Sequence, residues 1–193
     1  MNMIDEIKGI VTRESASTSS EQLRWRIRAA ISKLPDAISS DNLTSRWFEY
    51  EIDVRDQRNV NDEAEILTWL RSLDISAAPE VAAMIPIRGQ ECVLVRRYWA
   101  CPGERLLVPD PLDSETWPEA ARMRFLRDME RLAEHGKVHP WARGDAHVYV
   151  SDRSGTILLN TWSVLKSGTS DEQHDFLRSI NFKLLRRTAG EYP

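Results

Sequence analysis

The residues richest in chemistry fall close together: His135, His139, Asp145 and His147 lie in one stretch of the chain. Three imidazoles suggest a metal, but their spacings of four and eight match none of the ligand patterns that close a tetrahedral site. Cys92 and Cys101 are the only cysteines. They are too few for a disulfide scaffold and are not spaced with histidine as metal ligands. They read as buried or half-buried thiols of a reducing compartment. Asp145, within Arg143-Gly144-Asp145-Ala146-His147, suits an Asx-turn that braces its own loop. The local basic clusters (Arg24, Arg26 and Arg28; Arg96 and Arg97; Arg186 and Arg187) read as solvated faces or partner contacts. Seven tryptophans are many for 193 residues. Tryptophan and arginine dominate binding hot spots, which makes Trp99 beside Tyr98, Trp117, Trp141 and Trp162 candidate contacts.

The elements that would position these groups follow from periodicity. Residues 13–21 are rich in Ser and Thr and are expected to stay loose. A helix follows from about Ser20, with Leu23, Ile27, Ala30, Ile31 and Leu34 at helical spacing, and Pro35 ends it. Between 47 and 54, Trp47, Glu49, Glu51 and Asp53 alternate with Phe48, Tyr50, Ile52 and Val54, a period-two strand with one apolar face. A polar connector over 55–61 leads to a helix from Asp62 to Leu73, whose acidic residues Asp62, Glu63 and Glu65 suit the positive end of the helix dipole. Pro79 and Pro86 bracket a short segment, and Arg88-Gly89 turns the chain into a buried strand at Cys92-Val93-Leu94-Val95. Thr116 and Glu119 form a capping box for a helix with a Phe125, Leu126, Met129, Leu132 stripe, closed by Gly136. A hairpin is expected from strands at 147–150 and 156–159. The last helix is capped by Ser170 or Asp171, with a stripe of Phe176, Ile180 and Leu184.

Hydrophobic residues make up 41% and charged residues 29%, which supports one globular domain with a short appendage. No run of eighteen apolar residues occurs, so no membrane span is expected. The first eleven residues carry Asp5 and Glu6 and read as no secretory signal. A net charge of −4 argues against a nucleic-acid binder, whose affinity rests on clustered Lys and Arg.

The order of elements, with four local segments, resembles the protein kinase fold. Glu63-Ala64-Glu65-Ile66-Leu67 with Trp69-Leu70 is similar to the kinase helix that supplies the glutamate of the Lys–Glu pair. Cys92 to Tyr98, continuing through Pro102-Gly103-Glu104-Arg105-Leu106, resembles the strand and hinge that carry adenine. Phe125-Leu126-Arg127 through Leu132 to His139 resembles the long helix entering the catalytic loop. Ser151 to Leu159 resembles the hairpin before the metal-binding aspartate. The resemblance covers roughly residues 45–165. It implies an α+β, bilobal, minimal kinase-like fold with a small antiparallel sheet and a reduced helical C-terminal lobe. Residues 1–45 would form an N-terminal arm and helix, and 46–193 the kinase-like domain, with an N-lobe of about 46–103 and a C-lobe of about 104–193.

The groups that make such a fold a phosphotransferase are altered. Only glycines let backbone approach phosphates closely, and none occurs between Gly9 and Gly89. No lysine occurs between Lys33 and Lys137, which leaves Arg46 to stand in and pair with Glu63. His139 matches the family's catalytic-loop histidine, but Trp141 falls where the base aspartate belongs and Ala146 where the metal-binding asparagine belongs. Asn160-Thr161-Trp162 stands where Asp-Phe-Gly is expected, and a neutral Asn160 lacks the carboxylate's charge. A re-registered loop, similar to the His-Gly-Asp loop of small-molecule kinases, would make Asp145 a base and Asn160 or His147 a metal ligand.

The resemblance therefore implies a pseudokinase: a cytoplasmic binding or regulatory module with a protein partner, similar to the small kinase-like proteins that bacteria deliver into host cells. The alternatives are an atypical phosphotransferase using ATP, Mg and Asp145, with Arg46, Glu63 and Asn160 holding nucleotide, and an unrelated α+β adaptor or chaperone.

Overall fold

The computed structural model describes residues 2–16, 20–34, 37–39, 48–87, 89–98, 106–107, 119–138, 148–151, 157–159, 165–175 and 178. Helix α1 (Met3–Ser15) opens the chain, with the Asn2 side chain accepting from the Ile4 N–H at 3.1 Å. Asp5 and Glu6 lie in its first turn and Arg13 in its last, the charge order the helix dipole favours. Ile7, Ile10 and Val11 form its buried stripe. Helix α2 (Ser20–Ile31) follows, burying Leu23, Ile27 and Ile31. Residues 13–15, expected to be loose, continue α1.

A four-stranded sheet is built next, from β1 (Ala37–Ser39), β2 (Tyr50–Asp56), β3 (Glu80–Pro86) and β4 (Glu91–Arg97), in the spatial order β1-β2-β4-β3. β1 runs parallel to β2, and the other pairs are antiparallel. Helix α3 (Gln57–Ser72) leaves β2 without a connector. Asp56 caps it by accepting from the Arg58 N–H at 2.9 Å. The polar stretch 55–61 is thus the end of β2 and the first turn of α3, and no acidic residue lies in that turn. A local side-chain cap at Asp56 fixes the start, five residues before Asp62. The turn into β4 uses left-handed backbone at Gly89 (φ 76) and Gln90 (φ 69).

Two cores result. One joins α1, α2 and one sheet face: Ile7, Ile10, Leu23, Ile27 and Ile31 meet Ile52, Val54, Val93 and Val95. Within residues 1–45, α1 and α2 share this core with the sheet. The other joins Leu67, Leu70 and Ile75 to α4 (Glu119–Glu134) through Phe125, Leu126, Met129 and Leu132, the stripe expected from the sequence. Between them Val60 of α3 covers Cys92 and Leu94 on the opposite sheet face.

Polar contacts fix α4 to the segment after α3. The buried Asp128 carboxylate accepts from the Ser76 hydroxyl and the Ala77 N–H, each at 2.8 Å. Arg131 donates to the carbonyls of Leu73 and Asp74 at 3.1 and 3.0 Å. Gly136 (φ 69) ends α4, as the sequence expected of a C′ glycine.

The remaining strands are short. β5 (Leu106–Leu107) pairs with β7 (Val148–Ser151), which forms the expected hairpin with β8 (Ile157–Leu159). β6 (Lys137–Val138) pairs with β9 (Lys166–Ser167). Residues 170–175 are helical. Their cap is Thr169, not Ser170 or Asp171: the Thr169 N–H donates to Glu172 at 2.9 Å, and the Thr169 hydroxyl accepts from the Glu172 N–H at 3.3 Å. That reciprocal pair is a capping box, and it holds the Glu172 carboxyl below its ordinary range, with help from Lys166. The chain is thus a mixed α+β protein with a small, largely antiparallel sheet.

Candidate functional site

Alternation along β2 sends Tyr50, Ile52 and Val54 to the α1/α2 core and leaves Glu51, Asp53 and Arg55 on the α3 side. The register sets Glu51 directly opposite Arg96 of β4. Helix α3 then lays Glu63 over this polar row. The alternation marks one apolar face, yet the other face is closed as well: Glu51, Asp53, Glu63 and Arg96 are all buried.

The charges pair closely. Arg96 Nη1 lies 2.9 Å from Glu51, and its Nη2 lies 2.8 Å from Glu63 and 3.2 Å from Asp53. Arg55 Nε lies 2.5 Å from Asp53, and Arg55 Nη2 donates to Glu63. The Tyr98 hydroxyl donates to Glu51, and its ring stands edge-on to Phe48 at 5.4 Å. Arginine suits this hub because its planar fork reaches several carboxylates at once. Three carboxylates (Glu51, Asp53, Glu63) meet two guanidiniums (Arg55, Arg96), so the cluster carries one excess negative charge when all five are ionised.

Burial opposes the charge on Arg96, yet Glu51 and Glu63 beside it hold its pKa above the usual arginine value. Burial, reinforced by Glu51, pushes the Tyr98 hydroxyl well up, so it stays a donor. Burial also pushes up the Cys92 thiol on the same sheet face, which keeps it a weak nucleophile.

Access decides what this arrangement can do. Side-chain exposure is 1% for Glu63 and 3% for Arg96, against 28% for Arg55. Arg55 alone offers a positively charged group to solvent, and it already holds two carboxylates. No nucleophile stands among these side chains, and no group of three or more metal-binding side chains capable of holding an ion occurs among the described residues. The cluster braces α3 against the sheet.

Of the residues singled out in the sequence, Glu63 is placed at the centre of this network. Its partners are Arg55 and Arg96. Arg46, proposed as its partner, lies outside the described residues, as do Asp145, His139, His147 and Asn160, and also Trp99, Trp117, Trp141 and Trp162. Tyr98, read as part of an exposed aromatic pair, is buried. The basic clusters divide: Arg96 is interior, Arg97 pairs with Glu49 at 2.7 Å, and Arg24 pairs with Glu91 at 2.5 Å. Sequence reasoning missed Arg55 and Arg96 as ion-pair partners. The available signal was charges of both signs, four acidic and three basic, on two facing strands that are otherwise apolar.

No protein-family model, curated protein or solved structure matches the chain. Among the described residues no helix is long and apolar enough to cross a membrane.

Proposed function

We propose that this chain is a catalytically degraded kinase-like module that acts by binding a protein partner, in the cytoplasm or inside a host cell. The observation carrying this reading is the engagement of Glu63. In the resembling family a helix glutamate fixes a lysine that holds nucleotide phosphates. Here the helix that follows β2 also turns a glutamate to the sheet, but its partners are two arginines already bound to Asp53 and Glu51. A phosphate would have to compete with buried carboxylates for every cation in the network. The lack of glycine between Gly9 and Gly89 supports the same reading, because glycine is what lets a backbone approach phosphates closely.

A thermal-shift titration with ATP and Mg, repeated with Asp145→Ala, tests the proposal. A nucleotide at a hundredfold excess over its Kd would stabilise by about 2.7 kcal/mol, which at about 2–4 °C per kcal/mol is a rise of several degrees. The proposal expects no rise at millimolar nucleotide. A Mg-dependent rise that disappears in Asp145→Ala would overturn it in favour of an atypical phosphotransferase.

A further inference from the structure

We draw no further inference here: the strongest candidate, the solvent-facing surface patch of α2 where Trp25 is 71% exposed, carries nothing, because the neighbouring Arg24 and Arg26 already pair with Glu91 and Glu14 and nothing in the structure shows what covers it.

Discussion

The two faces of the four-stranded sheet are built from alternate residues of the same strands, yet they are closed by opposite physics. On one face Ile52, Val54, Val93 and Val95 meet α1 and α2 through apolar packing. On the other, Glu51, Asp53, Arg55 and Arg96 meet Glu63 of α3 through ion pairs, beside a small apolar patch at Val60, Cys92 and Leu94. Apolar packing is tolerant, since any side chain of suitable volume holds a helix there. A buried charge network accepts one geometry and penalises the loss of any hub. The first face contributes adhesion, while the second fixes where α3 sits.

Substitutions can break this contrast, and the largest effect is expected at the hub. Arg96→Met leaves Asp53 and Glu63 with only Arg55, and Glu51 with the Tyr98 hydroxyl but no cation; removal of one partner from a buried pair costs about 3–5 kcal/mol. Urea unfolding would show this as a lower midpoint with an unchanged m value. Arg96→Lys is expected to recover only part of the loss, because an ammonium cannot fork to three carboxylates.

Ile52→Ala on the apolar face is expected to cost about 2–4 kcal/mol through lost transfer energy and a residual cavity. The same unfolding measurement sharpens the comparison if Ile52→Val costs only about 1 kcal/mol. A conservative change would then be mild on the dry face and severe on the charged one.

Asp128 offers a smaller version of the charged face. Burial raises its pKa above the usual aspartate value, against the lowering by Ser76 and Ala77. A raised folded-state pKa means that the folded state holds the proton more tightly. The associated stability is fully present below the unfolded-state value and is lost as pH rises through the folded-state value. The stability of wild type relative to Asp128→Asn should therefore improve as pH falls from neutrality into the acidic range. Paired melts across that range check the sign, and a flat difference would contradict it.

Arg24→Ala should have the smallest effect. Its ion pair with Glu91 joins α2 to the sheet, but Arg24 is 43% exposed. Solvent-exposed pairs contribute about 0–1 kcal/mol and weaken with salt. The Arg96 variant's deficit should persist in high salt, where that of Arg24→Ala should vanish.

Much of the architecture was legible in the sequence because it is written in local periodicity. The α4 stripe, the β4 core and the β7–β8 hairpin follow from spacing and turn residues alone. Helix α1 has its own stripe in Ile7, Ile10 and Val11, but it is short and runs directly into the Ser/Thr-rich stretch that begins at Arg13. The start of α3 was misplaced because Gln57, Arg58 and Asn59 look like connector residues, and only the Asp56 cap reveals otherwise. The burial of Glu51 and Asp53 was not legible. An alternating strand looks the same whether its polar row meets water or meets an arginine from a neighbouring strand and a glutamate from a helix. Glu63 stands out only through the kinase resemblance, and its partner Arg96 is set by register between β2 and β4, which no local pattern specifies.

Amide hydrogen exchange on α3, with and without millimolar ATP and Mg, is the most direct test that Glu63 serves a closed brace. A brace predicts that amides around Glu63 open only with global unfolding, at rates that nucleotide leaves unchanged. Local opening of α3 well below the global unfolding energy, or protection of α3 and β2 gained on adding nucleotide, would contradict it.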